Sequence, residues 1–347
     1  MTDARKATSS NPYVLSSELG RPLTRRTFLR LGSSFATAAA LSGTVRALGD
    51  GFNATVRIGM IADLHQDVMH DGEARMDSFL EWAASTKVDR VIQLGDFAYP
   101  SSKNKAVIDK FNKAKGLHVI GNHDLDSGHT KKQCIDYWGM PGRYYSHGVG
   151  GIRLLVLDGN DKGSPTHKGG YPSYVGKEQV AWLEDQLQTF GGPFIIFSHQ
   201  ALHGHLAIDN AQEIHALLCK YAEKIAICVN GHSHIDLLQR VDGIHYFHVN
   251  SASYQWVGGK HKHESYSTEI HAAHPWISYT SPYRDPVFAG LAFDLNSGLL
   301  SIEGRESAWV GPSPAELGAD LNPNLIHGEE IAPRIRSRRI QRLRSLN

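Results

Sequence analysis

Six short apolar runs at 56–62, 88–94, 117–120, 152–157, 194–197 and 225–229 constrain this chain more than any other feature. Each is too short for a stable helix and rich in Val, Ile, Leu and Phe, which predicts buried strands. Between them the apolar period changes to that of a helix. Met76, Phe79, Leu80 and Ala83 share one helical face, as do Val180, Leu183 and Leu187, and Ile214, Leu217, Leu218 and Tyr221. Strands alternating with helices predict an α/β core. Later runs at 244–249, 288–295 and 299–302 alternate in polarity and predict antiparallel strands. The segment 258–286, with His261, His263, His271 and His274, lacks a period and predicts a long loop or insertion. Hydrophobic residues at 41% and charged residues at 20% exclude a disordered chain. No apolar run reaches the roughly 18 residues of a membrane span, so no integral span is expected.

The strands end in polar motifs. The first closes in Asp63-Leu64-His65, the second in Gly95-Asp96 and the third in Gly121-Asn122-His123-Asp124. Later ones close in Ser198-His199 and Gly231-His232-Ser233-His234. In open α/β sheets the carboxyl ends of the strands border the ligand crevice, so these groups can converge. Carboxylates, imidazoles and one amide oxygen suit hard-to-borderline divalent metals, and the series offers no thiolate. Glycines before Asp96, Asn122 and His232 are expected to let the chain turn sharply out of each strand. Each motif alone is weak, but the five in this order are specific. They also begin to account for the 20 histidines of the chain.

The series resembles the calcineurin-like metallophosphoesterase superfamily, which includes purple acid phosphatases and class III cyclic-nucleotide phosphodiesterases, over roughly 56–304. The resemblance implies a four-layered α/β/β/α sandwich with two mixed β-sheets around a dinuclear metal site. It implies that Asp63, His65 and His234 bind one metal, that Asn122, His199 and His232 bind the other, and that Asp96 bridges them. His123 then contacts the phosphate and protonates or stabilises the leaving oxygen, with Asp124 orienting it. The implied reaction is hydrolysis of a small phosphomonoester or phosphodiester by in-line attack of a metal-bridged hydroxide. The cofactors are two divalent or mixed-valence transition metal ions, with Fe, Mn and Zn left open.

Gly95-Asp96-Phe97-Ala98-Tyr99 also matches the GDxxY motif of purple acid phosphatases, whose Tyr ligates ferric iron. Those enzymes carry Asp-x-Gly in the first motif, where this chain has Asp63-Leu64-His65, so His65 is expected as the ligand and Tyr99 beside it. His203 and His205 follow His199 as rivals and are expected at the substrate mouth or in solvent. Gln179-Val180-Ala181-Trp182-Leu183 resembles a helix common in the superfamily, with Trp182 and Leu183 read as core. No P-loop, H-E-x-x-H or G-x-S-x-G signature is present. Alternatives are an extracellular nuclease or phospholipase on the same metals, or a non-enzymatic metal-binding envelope protein.

The formal net charge of +1 averages three unlike segments. Residues 1–47 hold seven Lys or Arg against Asp3 and Glu18, and the last fourteen residues hold six Arg and no acid. The remaining middle carries 23 basic and 33 acidic residues. Thr24-Arg25-Arg26-Thr27-Phe28-Leu29-Arg30 precedes an uncharged stretch at 31–45 and resembles a twin-arginine signal peptide. That implies export to the periplasm or beyond, with cleavage near Ala47. Three cysteines without CxxC spacing imply no disulfide framework, and Cys219 and Cys228 are read as buried small hydrophobes. The expected division is a signal peptide at 1–47, a catalytic domain at 48–310 with the 258–286 insertion, and a C-terminal extension at 311–347. Its Arg-rich stretch 334–344 is either a solvated tail or an arm for an anionic surface.

Overall fold

The computed structural model describes residues 55–319 and 322–341, all within one unit spanning Gly51–Asn347. The signal-peptide segment, Arg342 and Arg344 lie outside the described residues. In chain order the strands and helices begin β1 (Thr55–Ile61), α1 (Gly72–Thr86), β2 (Arg90–Gln93), α2 (Lys105–Lys113), β3 (Gly116–His118), α3 (Lys131–Trp138), β4 (Tyr145–Val149) and β5 (Ile152–Val156). They continue with α4 (Lys177–Thr189), β6 (Phe194–Ser198), α5 (Ala211–Cys219), β7 (Ile225–Asn230), β8 (Leu237–Val241) and β9 (Ile244–His248). The last are β10 (Tyr254–Trp256), α6 (Thr268–Ala273), β11 (Thr280–Pro282), β12 (Ala289–Asp294), β13 (Leu299–Glu303) and β14 (Arg338–Gln341).

Two six-stranded mixed sheets result, with orders β14-β13-β12-β1-β2-β3 and β4-β5-β6-β7-β9-β8. Each has a parallel block. In the first sheet β1-β2-β3 forms one half, with antiparallel β12, β13 and β14 beyond β1. In the second β5-β6-β7-β9 forms the centre, with antiparallel β4 and β8 at its edges. The fold is the expected mixed α/β architecture with two large mixed sheets. Period-two alternation explains the stacking. Leu154, Val156, Ile195 and Phe197 enter the core shared with the first sheet and α1, while Leu155, Leu157, Phe194 and Ile196 face Leu183, Leu187, Ile214 and Leu218 of α4 and α5. Fully buried side chains of this size contribute roughly 1.5–3 kcal/mol each. As read from the sequence, Leu183 is core; Trp182 is only partly buried against it.

Three regions differ from the sequence reading. The run at 244–249 forms β9, which is antiparallel to β8 but parallel to β7, because the crossover through Gly231-His234 and β8 returns the chain in its former direction. The 258–286 segment contains α6 and β11, and β11 pairs with β10. The C-terminal stretch does not stand apart, since β14 closes the edge of the first sheet against β13. Around its start, Arg336 Nε and Arg338 Nη1 reach the fully buried carboxylate of Asp236 at 2.7 and 2.6 Å, and Arg336 and Arg334 also pair with Glu329. Described arginines of the tail are therefore bound to the body's own acids, while Arg339 is exposed. Among the described residues no helix is long and apolar enough to cross a membrane.

Candidate metal centre

All five motifs meet at the carboxyl ends of the parallel strands. The loops after β1 and β2 run side by side, with the Asp63 and His65 N–H groups donating to the Gly95 and Asp96 carbonyls. Asp63, His65, Asp96, His232 and His234 all have φ between 49° and 66°. This left-handed region costs a non-glycine residue on the order of 1 kcal/mol or more, although Asp and His tolerate it better than most. Of the three glycines before ligand positions, only Gly95 has a positive φ. Gly121 and Gly231 are needed instead for close approach, because a Cβ would fall 2.2 Å from Asp96 Oδ1 and 2.7 Å from Asp63 Oδ2.

The side chains form two triads around Asp96. In the first, His234 Nε2 is 3.3 Å from both His65 Nε2 and Asp63 Oδ1. In the second, His199 Nε2 is 3.0 Å from Asn122 Oδ1, 3.1 Å from His232 Nδ1 and 3.2 Å from Asp96 Oδ2. The same Asp96 oxygen stands 3.8 Å from His65 Nε2, so one carboxylate reaches both triads. Donors about 2.0–2.2 Å from one cation stand roughly 3–3.6 Å from each other, so this spacing fits two metals.

Tautomers decide what the cluster is. His199 Nδ1 faces the Leu94 carbonyl at 2.8 Å and His234 Nδ1 faces the Tyr254 carbonyl at 2.8 Å. A carbonyl only accepts, so each Nδ1 carries the proton and each Nε2 turns a lone pair inward. Around His199 Nε2 an amide oxygen, a carboxylate and His232 Nδ1 then converge, and a proton on the His232 ring is what the protein itself could place among them. Such an arrangement requires a cation, or else a proton. Accordingly, although burial opposes it, the Asp96 charge and hydrogen bond, Asp63 and the Leu94 carbonyl push His199 up to about 9. Burial lowers His65 well below its ordinary value, and burial with His199 lowers His232 to about 3, leaving neutral imidazoles able to ligate.

The expected role of Asp124 in orienting His123 is corrected. Both Asp124 oxygens accept backbone N–H bonds, from Asp96, Phe97 and Gly121. Asp126, three residues along the 3-10 turn, faces the imidazole instead, with Oδ2 2.7 Å from His123 Nδ1. Tyr171 Oη donates to the other Asp126 oxygen at 2.8 Å. The sequence reading missed Asp126 and Tyr171, and the i,i+3 spacing of His123 and Asp126 was the available signal. It also missed Tyr254, whose ring stacks on His65 at 4.9 Å. Tyr99 packs on His129, and burial with Asp126 and Asp67 raises its phenol, so it stays neutral beside the cluster. His205 borders the crevice as expected, whereas His203 packs on His215 and Tyr246.

A family match decides the class. The calcineurin-like phosphoesterase family matches residues 56–236, just over half of the chain and all seven candidate ligands. The chain belongs to this family. It is a metal-dependent hydrolase acting on phosphoric ester bonds. In fold this phosphoesterase is similar to GAP50, the anchor in the inner membrane complex of Plasmodium, at 12% identity and a TM-score of 0.53 over 84% of this chain and 90% of that one. A dimetal phosphatase from Danio rerio is similar at 14% identity and a TM-score of 0.48, covering 74% of this chain and 98% of that one. No curated protein matches the chain in sequence.

Proposed function

We propose that this phosphoesterase is exported and holds two divalent transition-metal ions. Asp63, His65 and His234 would hold one, Asn122, His199 and His232 the other, and Asp96 would be shared. The observation carrying this reading is the convergence of imidazole nitrogens, carboxylate oxygens and one amide oxygen into two triads at ligand-to-ligand spacing around a shared carboxylate. When bound, two such ions supply Lewis-acid charge to a phosphoryl group and lower the pKa of water. Asp96 Oδ1 accepts the His123 backbone N–H at 2.8 Å, which holds residue 123 beside the shared carboxylate. Burial lowers the His123 imidazole, but Asp96 and Asp126 together raise it, which favours a proton on Nε2 for the departing alkoxide. Bound cations would offset part of that rise. Asp126 accepts from Nδ1 and keeps the ring aimed.

The mouth narrows the substrate. The cavity is about 850 Å³, and its wall includes Tyr171, Leu206, Trp256, Trp276 and Leu325. No Lys or Arg occurs among its described lining residues. A polyphosphate or nucleic-acid backbone needs cations beyond the reacting phosphate, which argues against a nuclease. We therefore favour a small phosphoester with one phosphate and an apolar or aromatic remainder, monoester or diester. Export rests on the Arg25-Arg26 signal resemblance. An anionic-surface partner has less support, because Arg334, Arg336 and Arg338 are paired internally.

Hydrolysis of p-nitrophenyl phosphate and bis-p-nitrophenyl phosphate, before and after chelation, tests this reading. Loss of turnover on chelation with recovery on adding Mn, Zn or Fe(II) is expected. Turnover insensitive to chelation would remove the metal site from the account.

A further inference from the structure

A second set of metal donors lies at the other end of the second sheet. His215 and Cys219 are four residues apart on α5 and share a face. Asp242 occupies the turn between β8 and β9, with φ at 47°. One ligand atom from each lies within 4.8 Å of the other two. His215 Nε2 is 3.0 Å from Asp242 Oδ2 and 3.5 Å from Cys219 Sγ. Nitrogen, oxygen and sulfur at about 2.0–2.3 Å from one tetrahedral zinc stand roughly 3.3–3.6 Å apart, close to this arrangement. The remaining nitrogen of His215 is 2.6 Å from the Tyr246 hydroxyl, an outer partner of the kind that fixes a ligand's tautomer. The His203 ring lies 5.0 Å from that of His215 and tilted to it, and its Nδ1 has no hydrogen-bond partner. β8 starts three residues after His234 and runs five residues to this turn, placing the cluster about 16 Å along the strand from the catalytic crevice. The sequence reading of Cys219 as a buried hydrophobe is thus corrected, since it is partly exposed beside an imidazole.

We propose that His215, Cys219 and Asp242 bind one zinc ion, with His203 or water completing the tetrahedron, and that this ion ties α5 to the β8–β9 turn. Imidazole, thiolate and carboxylate together suit zinc better than Mg or Ca. Partial burial and the Asp242 charge hold the thiol above its usual range without a cation. Uptake of zinc therefore breaks the S–H bond, releases that proton to solvent and forms the S–Zn bond, with no redox change.

Cobalt(II) loading separates this site from the catalytic one, whose candidate ligands include no sulfur. Cobalt-loaded protein should show a thiolate-to-cobalt charge-transfer band that Cys219→Ser abolishes along with one equivalent of metal. Hydrolysis of p-nitrophenyl phosphate by Cys219→Ser should stay within about twofold. Asp242→Asn, on an exposed side chain that tolerates exchange, should keep the band at saturating cobalt but weaken binding at least tenfold. Absence of the band, its survival in Cys219→Ser, or unchanged affinity in Asp242→Asn would each overturn the proposal.

Discussion

Two regions of this molecule are rich in histidine, and they differ in what surrounds the rings. In the crevice, the His199 and His234 rings each give their Nδ1 proton to a carbonyl and turn Nε2 toward other acceptors. In the 258–286 segment the rings complete backbone hydrogen bonding. His271 Nε2 accepts from the Ser265 and Tyr266 N–H groups, and His261 Nδ1 and His274 Nδ1 face the Leu317 and Val68 carbonyls. The contrast is clearest between His271, whose Nε2 meets two backbone donors, and His199, whose Nε2 meets an amide oxygen and a carboxylate. An imidazole whose free lone pair faces a donor is structure; one whose lone pair faces another acceptor calls for a cation. Elsewhere the chain supplies that cation itself, as where Arg336 and Arg338 meet buried Asp236, or Lys131 and Arg143 meet Asp158 and Asp161.

The contrast breaks first at Asp96. Asp96→Ala removes the carboxylate that reaches both triads, and kcat/KM for p-nitrophenyl phosphate should fall by at least about 10³-fold with loss of bound metal. Retained turnover would show that acceptor convergence is not what matters. Removing the internal cations comes next. Arg336→Met with Arg338→Met leaves the buried Asp236 charge with only the Arg336 backbone N–H for a partner, which should cost about 3–5 kcal/mol in urea unfolding. A smaller loss would mean that the tail is only lightly held.

Asp126→Asn sharpens the account at the mouth. Nδ1 of His123 would lose its charged partner, so kcat should drop about 10–100-fold while metal content stays unchanged. Metal loss in that variant would assign Asp126 to the triads instead. In the loop, His271→Ala orphans two N–H groups and should cost about 1–3 kcal/mol with kcat within about twofold. A large fall in kcat would erase the distinction between the two regions.

The smallest effect is on acid stability. Burial raises Asp161, but the Gly176 N–H, Lys131 and Arg143 outweigh it and hold the carboxyl below its ordinary value. Its stabilising contribution is therefore complete above the unfolded value of about 3.9 and is lost as the pH falls through the lower folded value. Asp161→Asn should unfold earlier than wild type at neutral pH, with the gap closing in acid. A pH-independent gap would mean that the pairing is not electrostatic.

Much of the fold was legible because buried parallel strands write themselves as apolar runs, and 56–62, 152–157, 194–197 and 225–229 all became strands. Three of the four edge strands of the two large sheets did not show. β4, β8 and β14 are half exposed, with side chains such as Ser146, Arg240 and Arg339 facing solvent, so none writes an apolar run. The candidate ligands were legible because strand ends are local. The partners that set their tautomers were not, since Leu94 and Tyr254 act through backbone carbonyls that any residue could provide. Asp124 was misread for a related reason: adjacency in sequence suggested contact, while the 3-10 turn placed Asp126 there instead.

The central claim is that lone pairs facing one another in the crevice hold two cations. Metal stoichiometry of purified Cys219→Ser protein, which lacks the proposed third site, measures that directly. Two equivalents per chain, both lost on chelation together with turnover, is the predicted result. A chain that hydrolyses phosphoesters with no tightly bound transition metal would contradict it.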